Sequence, residues 1–390
     1  MKKKVVILGG GMIGSAMALD LKRSGALDVT LADVRDDVLT RLANVGIATV
    51  KADLANPAAV RAEVAGYDLV LGALPSVLGL QTLRAVIEAG RDYVDISFMP
   101  EDAMVLDDLA RERGVTAVVD CGVSPGMSNM MIGHAARGLD RVERAEILVG
   151  GLPAERTWPF DYKAGFAPHD VIEEYVRPAR MVEHGRLVVK EALSEPELIH
   201  FPGVGTLEAF NTDGLRSLIR TIEAPFMKEK TLRYPGHIEL MRVLRDVGFF
   251  GKDPIDVKGQ SVRPLDVTAA LMFPRWTFDE QEADLTVMRV FVEGVRGAAR
   301  GGERVRLSWD LYDAYDPATR LRSMSRTTAF PATIVAGLVA EGRYRNPGVN
   351  PPERLGRDAG LLEPVIAGLA ERGVRCTSEV RVLGPAEPVR

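Results

Sequence analysis

Cysteine is scarce in this chain of 390 residues, which contains only Cys121 and Cys376. The two show no CxxC or CxxH spacing, so they indicate neither a disulfide framework nor a zinc site. We therefore expect no bound metal and a reducing compartment, of which the cytoplasm is the simplest. Cys121 is expected to be a small buried residue rather than a nucleophile, because no histidine lies near it in the sequence.

The chain also lacks long apolar runs and an excess of positive charge. The first apolar run, at residues 5–8, is too short for a signal peptide or a membrane span, and glycines follow it. A net charge of −5 is atypical of proteins that bind nucleic acid. We expect neither a membrane nor a nucleic acid as partner. With 46% hydrophobic and 26% charged residues, the chain has the composition of a globular protein with room for two well-buried domains.

Short β-branched runs alternate with helical segments over the first 122 residues. Strands are predicted at 5–8, 29–33, 47–50, 69–73, 93–96 and 116–119, and helices at 12–24, 35–44, 80–89 and 103–113. Strands and helices that alternate in this way form a parallel sheet covered on both faces. The sequence therefore predicts an α/β fold, with a doubly wound Rossmann domain over residues 1–122.

The pattern changes after residue 122, where a second domain is expected to begin. Polar and apolar residues alternate over 286–293 and 304–312, which predicts an antiparallel hairpin. This favours an α+β domain over 123–322 with a largely antiparallel sheet. Further predictions are a helix that starts near Pro331, within 323–345, and a C-terminal extension over 346–390, with a loop at 346–352 and a helix at 359–372.

The first predicted strand leads into the sequence G-G-G-M-I-G, which satisfies the GxGxxG pattern in its required strand-turn-helix context. Gly9 permits a tight turn, Gly11 leaves room for phosphates, and Gly14 lets the helix approach the strand. The first amides of that helix, at Met12 and Ile13, are expected to meet the negative charge of a pyrophosphate. This pattern predicts a dinucleotide site.

Asp33 closes the second predicted strand, about 20 residues after the turn, where such sites carry an acid. Its carboxylate is expected to bind the ribose hydroxyls of the adenosine and to repel a 2′-phosphate, with Val34 beside it. We therefore expect NAD as the cofactor. Arg35 can bind a 2′-phosphate, so NADP stays an alternative.

Residues that follow the later strands are expected at the carboxyl edge of the same sheet, where ligands bind. Asp95 and Asp120 are candidates to orient a substrate amine or to stabilise charge during its reaction. Asp120 is equally suited to form a turn before Gly122. Further cofactor contacts are expected from Asp53, Leu54, Ala73, Leu74, Pro75 and Ser97.

Several segments resemble the saccharopine dehydrogenase-like family. Residues 120–129, D-C-G-V-S-P-G-M-S-N, are similar to its junction pattern DxGxxPGxxN, and L-R-Y-P-G-H at 232–237 is the most specific match. Further matches lie at 162–163, 171–175, 207–214 and 230–231. The lysine 6-dehydrogenase branch is the most similar.

This resemblance implies an NAD-dependent amino-acid dehydrogenase, most like one that oxidatively deaminates the terminal amine of L-lysine to the semialdehyde or cyclic imine. It also implies a homodimer, with the helix near Pro331 packed on the Rossmann domain. Two other interpretations stay open. One is a secondary-amine dehydrogenase of saccharopine or carboxynorspermidine type, which Arg177, Arg180 and Arg233 would indicate if two or more converged on the cleft. The other is an NAD-responsive binding protein without catalysis.

Amine oxidation requires a neutral amine, so some residue must accept a proton near neutral pH. His237 ends the most specific matching run, and imidazole titrates in this range, so the resemblance implies an acid-base role. Hydrogen bonding to substrate or capping of a turn is the equal alternative. Arg233 is expected to hold a substrate carboxylate with its planar fork, with a structural ion pair as the alternative. Other substrate contacts are expected from Tyr175, Asn211, Thr212 and Tyr234.

Overall fold

A computed structural model describes residues 2–280, 282–298 and 302–385. The chain forms two compact units, each built from two stretches of sequence. The first unit contains the chain up to His134 together with Ser325–Val374, and the second contains Ala135–Met324 together with the chain from Arg375 onward. The division expected at residue 122 falls inside the first unit. There the backbone N–H of Gly122 donates to the carbonyl of Pro125 and closes a local bend.

The first unit begins with regularly alternating strands and helices. They are β1 (Lys4–Leu8), α1 (Met12–Ser24), β2 (Asp28–Asp33), α2 (Asp36–Asn44), β3 (Ala48–Lys51), α3 (Pro57–Val64), β4 (Leu69–Gly72), α4 (Gly79–Glu88), β5 (Asp92–Asp95), α5 (Asp107–Glu112) and β6 (Thr116–Val118), with short 3₁₀ helices at Ser76–Leu78 and Ala103–Leu106. The segment predicted as one helix at 103–113 is thus a 3₁₀ turn followed by α5.

In the first sheet these six strands are all parallel and have the order β3-β2-β1-β4-β5-β6, with a seventh strand from later in the chain beside β6. The strand order reverses at β1, because β2 lies on one side of it and β4 on the other. The side chains of Val5–Leu8 are fully buried, as expected for a strand covered by helices on both faces. This confirms the doubly wound Rossmann sheet, and it places the glycine-rich turn at the switch point where such sheets bind ligands.

The second unit contains a larger mixed sheet. The elements of this unit up to residue 314 are α6 (Met127–Gly138), which begins in the first unit, β7 (Arg141–Pro153), α7 (Pro168–Val176), β8 (Ala179–Glu183), β9 (Arg186–Lys190), β10 (Glu197–Phe201), β11 (Gly205–Asn211), α8 (Leu218–Thr221), β12 (Phe226–Arg233), α9 (His237–Val247), β13 (Ile255–Val257), β14 (Gln260–Val262), α10 (Pro264–Trp276), β15 (Asp284–Arg296) and β16 (Glu303–Ala314). The strands β13 and β14 form a small sheet of their own.

In this sheet the predicted hairpin is confirmed, because β15 and β16 pair antiparallel along their whole length. β7 lies at the centre, antiparallel to β15 and parallel to β12. The expected second sheet, largely antiparallel, is therefore present, with one parallel pair. Helices α7, α9 and α10 enclose an aromatic core around Trp276, Tyr175 and Phe210.

The last part of the chain does not form a separate extension. It contains α11 (Ser323–Ala340), β17 (Gly348–Asn350), α12 (Pro352–Arg357), α13 (Leu362–Glu371) and β18 (Arg375–Pro385), while 386–390 lie outside the described residues. β17 joins the first sheet beside β6, where a loop was expected, and β18 joins the second sheet beside β16. Helix α11 begins eight residues before Pro331, which lies inside it. Thr333 Oγ1 donates to Asp20 of α1 at 2.6 Å, so α11 packs on the Rossmann helices.

Within the described ranges, no helix combines the length and the apolar character needed to cross a membrane.

Candidate cofactor site and buried polar cluster

The turn between β1 and α1 requires two of its glycines for steric reasons. Gly9 has φ of 98°, and a Cβ there would lie 2.6 Å from the carbonyl oxygen of Ala73. A Cβ on Gly14 would lie 1.9 Å from the carbonyl oxygen of Gly9. Any side chain at either position would therefore separate α1 from the sheet.

Gly11 differs from these two, because a Cβ added there would meet nothing within 4 Å. It is the N-cap of α1, no side chain caps the helix at this end, and the first turn contains no acidic residue. The N–H groups of the first turn, including those of Met12 and Ile13, thus face a surface without a side chain or a negative charge from this helix. Such a surface fits the pyrophosphate of a dinucleotide.

Asp33 ends β2 and is buried beside this turn. Its Oδ2 accepts a hydrogen bond from the N–H of Gly10 at 2.6 Å, and Arg35 Nε and Nη2 donate to its two oxygens at 3.0 Å each. Burial opposes ionisation, but the hydrogen bonds from Arg35 and Gly10 outweigh it and hold the pKa of Asp33 below its usual value. The carboxylate is thus charged at neutral pH. Val34, the next residue, is exposed.

Asp95 lies fully buried at the end of β5, on the same edge of the sheet. Tyr93 Oη donates to its Oδ1 at 3.1 Å, and Ser97 Oγ donates to its Oδ2. Asp120 follows β6, the neighbouring strand, with a left-handed φ of 53°. Burial raises the pKa of Asp95 to about 7, and the charge of Asp120 adds to this effect against the hydrogen bonds from Ser97 and Tyr93.

The structure therefore brings Asp95, Ser97 and Asp120 together, as expected from their strand-end positions. Tyr93 was not expected at this site. Its position could have been inferred from the sequence, because Tyr93 and Asp95 are two residues apart on one strand and therefore point to the same face. Gly72 was missed as well: a Cβ there would lie 2.0 Å from Tyr93 Oη and 2.3 Å from Asp95 Oδ1, so only glycine leaves room for this pair.

The other expected cofactor residues fall into two groups. Ala73 and Leu74 lie against the turn, since both approach within 3.1 Å of a Cβ built on Gly9, and Pro75 precedes a 3₁₀ helix. Asp53 and Leu54 have local roles instead. Asp53 accepts from the N–H of Ala55 at 3.1 Å, and Leu54 is buried in the hydrophobic core of the Rossmann sheet.

The second unit contains a buried polar cluster around Arg233, at the end of β12. Its Nη2 donates to Glu174 at 2.6 Å, its Nε donates to Tyr175 Oη at 3.3 Å, and its Nη1 donates to the carbonyl of Leu232 at 2.9 Å. The ring of Tyr162 lies 4.5 Å from the guanidinium carbon. The fork that was expected to hold a substrate carboxylate is therefore engaged in a structural ion pair, the alternative interpretation of Arg233.

His237 belongs to the same cluster and is buried. Its Nδ1 lies 2.8 Å from the carbonyl oxygen of Phe160, and its Nε2 lies 2.9 Å from Tyr175 Oη. A carbonyl only accepts, so Nδ1 carries the proton and Nε2 accepts from the tyrosine. Burial and the charge of Arg233 lower the pKa of His237 to about 3. This neutral, fully hydrogen-bonded imidazole does not fit the acid-base role expected of it near neutral pH.

The remaining expected substrate residues also bond within the unit. Tyr234 Oη donates to the carbonyl of Pro153 at 2.9 Å. Asn211 Nδ2 donates to Ser194 and Glu195 at 3.1 Å each. Thr212 Oγ1 donates to Glu229, a buried acid that was not predicted as a site residue. Burial raises the pKa of Glu229 to about 8.

Convergence of Arg177, Arg180 and Arg233 on one site would have indicated a secondary-amine dehydrogenase. Each of these arginines contacts an acid of its own unit. Arg177 lies 3.9 Å from Glu173, Arg180 binds both oxygens of Asp213, and Arg233 binds Glu174. They do not form a joint carboxylate site in this structure. Among the described residues, no group of three or more potential ligands is arranged to hold a metal ion.

A parallel sheet, a glycine turn at its switch point and an ionised acid at the end of β2 define a dinucleotide-binding protein of the Rossmann class. Comparison with known families makes this more specific. Residues 5–118 match the family described as "Saccharopine dehydrogenase NADP binding domain", and residues 122–374 match "Saccharopine dehydrogenase C-terminal domain". The chain belongs to the saccharopine dehydrogenase family.

Individual relatives are distant. A "Saccharopine dehydrogenase (NADP(+), L-glutamate-forming)" of Pyricularia oryzae is 26% identical over 270 residues, which cover 64% of this chain and 59% of that protein. "Carboxyaminopropylagmatine dehydrogenase" of Synechocystis is 24% identical over 405 residues, 95% of this chain and 96% of the relative. "Carboxynorspermidine synthase" of Vibrio cholerae is 23% identical over 310 residues, 75% of this chain and 73% of the relative. The chain thus spans little more than half of the fungal protein.

Among solved structures, apo saccharopine dehydrogenase (L-Glu forming) of Saccharomyces cerevisiae superposes with a TM-score of 0.80, covering 97% of this chain and all of the other at 17% identity. This likeness shows a common fold.

Proposed function

We propose that this protein is a pyridine-nucleotide-dependent oxidoreductase that oxidises the carbon-nitrogen bond of an amine bearing a carboxylate. The observation that carries the proposal is the position of Asp95, whose pKa of about 7 suits proton transfer, on the same sheet edge as the glycine turn. The turn from Gly9 to Gly14 would hold the pyrophosphate, and Asp33 the adenosine ribose. When bound, the nicotinamide would supply the hydride acceptor.

The chemistry assigns Asp95 a defined task. An ammonium ion has no lone pair to stabilise the iminium that forms when hydride leaves the adjacent carbon, so the amine must first lose a proton. A carboxyl with a pKa of about 7 accepts that proton at neutral pH and releases it again. Tyr93 and Ser97 hold the carboxyl in one orientation through their hydroxyls. Asp120 raises the basicity of its neighbour.

For the cofactor we favour NAD, on the charge of Asp33 beside the turn. A 2′-phosphate would meet this carboxylate, and both oxygens of Asp33 already occupy the fork of Arg35. The description of the matching family names NADP. NADP binding would require the Arg35 guanidinium to leave Asp33 and turn to the phosphate.

For the substrate we favour a secondary amine. Relatives named for saccharopine, carboxyaminopropylagmatine and carboxynorspermidine support this choice, and one of them aligns over almost the whole chain. The second candidate is the terminal amine of L-lysine, supported by the run L-R-Y-P-G-H at 232–237. The two reactions differ in one product, because oxidation of a primary amine followed by hydrolysis releases ammonia.

The test is NADH or NADPH formation at 340 nm with saccharopine, carboxynorspermidine, lysine, ornithine and diaminopimelate, with ammonia assayed in parallel. Turnover without ammonia supports the secondary amine, and turnover with ammonia supports lysine-type deamination. Failure of every amine, in a protein that still binds the dinucleotide, would overturn the enzymatic proposal in favour of a nucleotide-responsive binding protein.

A further inference from the structure

Helix α2 carries an arginine, Arg41, on the side that faces α1 and the glycine turn. Its Nη2 donates to the hydroxyl of Ser15 in α1 at 3.1 Å. That hydroxyl donates to the carbonyl of Gly10 at 2.9 Å, and the N–H of Gly10 donates to Asp33 at 2.6 Å. One hydroxyl and one peptide unit therefore separate the guanidinium of Arg41 from the carboxylate that we propose binds the adenosine ribose.

The direction of the Arg41 side chain follows from the packing of α2. Val38, one turn earlier on this helix, is buried against the turn, since a Cβ built on Gly10 would collide with it. Residues three apart on a helix share a face, and long side chains point back towards the start of their helix. Arg41 is thereby directed towards the start of α2, which follows directly on the end of β2 and its acid.

The guanidinium of Arg41 is available to bind an anion. Within the described part of the chain it forms no ion pair, and the Ser15 hydroxyl is its only hydrogen-bond partner. The residue is exposed to solvent. A guanidinium binds a phosphate more strongly than it binds a neutral hydroxyl, because the hydrogen bonds are charge-assisted and two can form in parallel. Arg41 can therefore exchange Ser15 for a phosphate that enters from solvent.

A 2′-phosphate beside Asp33 requires a second cation. The charge of Asp33 is balanced by Arg35, whose side chain is half exposed. When Arg35 turns to the phosphate, the carboxylate loses this partner and meets a group with about two negative charges. Asp37, whose charge also acts on Arg35, adds to the repulsion. One guanidinium cannot offset these charges, and Arg41 supplies a second positive charge at the same end of α2.

We infer that Arg41 is a specificity-determining residue of the nucleotide site, where it binds the 2′-phosphate of NADP together with Arg35. The site then accepts NADP as well as NAD, although it carries Asp33. This inference rests on the proposed function, because it takes the turn and Asp33 as the nucleotide site. Arg41 contributes little to the binding of NAD, whose ribose has only a hydroxyl at the 2′ position.

Nucleotide titration of the full chain tests the inference without catalysis. Arg41→Ala should raise the Kd for NADP about 10-fold or more, because charge-assisted hydrogen bonds to the phosphate are lost, and should change the Kd for NAD less than about 2-fold. Arg41→Lys keeps the charge without the planar fork, so its Kd for NADP should lie between those of the wild type and Arg41→Ala. Arg84→Ala, on the exposed side of α4, is the matched control and should change neither Kd.

Two smaller ligands identify which phosphate Arg41 binds. Adenosine 2′,5′-bisphosphate differs from AMP only in its 2′-phosphate, so Arg41→Ala should weaken binding of the bisphosphate and leave that of AMP unchanged. Equal losses for both ligands would assign Arg41 to the 5′-phosphate and overturn the inference, as would no loss for either. A wild type that binds NAD but not NADP also overturns it and leaves the proposed function intact. A wild type that binds neither dinucleotide overturns the proposed function as well.

Discussion

The carboxylate of Asp33 accepts a hydrogen bond from the N–H of Gly10 at 2.6 Å, so the acid at the end of β2 ties down the glycine turn that follows β1. The side chain that is placed to meet the ribose also fixes the backbone placed to meet the phosphates. Arg35 donates to the same carboxylate from its side chain and its backbone N–H. The two parts of the cofactor site are therefore one hydrogen-bonded unit.

This relationship predicts a change in cofactor preference. Asp33→Ala removes the ribose acceptor and releases Arg35, so NAD affinity should fall roughly 10- to 100-fold while NADP affinity stays or improves. The check is Kd for both nucleotides by fluorescence titration. Asp108→Ala, at an exposed acid on α5, is the control and should alter neither. Equal losses for NAD and NADP would remove Asp33 from the ribose role.

Two glycines of the turn should respond differently to the same substitution. Gly14→Ala forces a Cβ to within 1.9 Å of a carbonyl oxygen and should destabilise the fold by several kcal/mol. A Cβ at position 11 meets open space, so Gly11→Ala should change the free energy of unfolding by no more than about 1 kcal/mol from the wild-type value. The remaining cost is that alanine is a poorer N-cap than glycine. The dinucleotide affinity of this variant should nevertheless fall strongly, since the methyl group occupies the phosphate surface.

Denaturant unfolding and nucleotide titration on the same samples separate these effects. Gly66→Ala, another position with open space, is the control. If Gly11→Ala binds nucleotide normally, the pyrophosphate lies elsewhere.

Loss of the proposed proton acceptor should lower the rate without affecting nucleotide binding. Asp95→Asn should reduce kcat by about 10²- to 10⁴-fold and leave the Kd for nucleotide unchanged. In the wild type, oxidation needs the ionised carboxylate, so kcat should rise as pH increases through about 7. The variant should lose this step from its pH profile. Asp108→Asn, an exposed acid on α5, is the control, and a profile that survives Asp95→Asn would exclude Asp95 as the base.

Substitution of His237 should leave the same pH step in place. Its pKa of about 3 keeps the imidazole neutral where the enzyme is assayed. His237→Asn can still donate to Phe160 but leaves Tyr175 without its acceptor, at a cost of about 1–3 kcal/mol in unfolding free energy. In the double variant with Tyr175→Phe, the two losses should be less than additive. A displaced or missing pH step in His237→Asn would restore the acid-base role that the resemblance implied.

Glu229 should make stability depend on pH. Its pKa is about 8 in the folded protein against 4.5 ordinarily, so between these values the folded state holds a proton that the unfolded state has lost. The contribution is complete below pH 4.5 and disappears as pH rises through 8. Glu229→Gln keeps an acceptor for Thr212 and Gly214, so its unfolding free energy should fall less with pH, by about 1 kcal/mol or more.

Urea unfolding at pH 5 and pH 8 measures the difference, with Glu155→Gln as the exposed control. If the unfolding free energy changes equally between pH 5 and pH 8 in the wild type and in Glu229→Gln, this carboxyl is ionised in the folded state.

The Rossmann sheet was predictable because its strands are continuous apolar runs separated by helices with clear ends. Helix α3 was missed although Asn56 caps it and Pro57 occupies its first turn, a recognisable start signal. β17 could not be predicted, because three residues carry no periodicity and the strand exists through its pairing with β6. Strands β7 to β12 were likewise not identified individually.

The candidate site also contains residues that could be predicted from the sequence and contacts that could not. Asp33 and Asp95 follow from their places at strand ends, which sequence reveals. The partners of His237 do not, because Tyr175 and Phe160 lie 62 and 77 residues away along the chain. Its chemistry is decided by burial and by the charge of Arg233. Neither can be read from a local motif.

The return of residues 325–374 to the first unit has a consequence for how the protein is made. On the ribosome, β1 to β6 emerge early, but β17 is translated after all the helices of the second unit. Until then the Rossmann sheet lacks its outermost strand. The larger sheet remains incomplete for longer, because β18 follows β17 in the chain. Both units are therefore completed only after residues 348–385 have been translated, and a nascent chain halted near residue 340 would expose the open edges of two sheets at once.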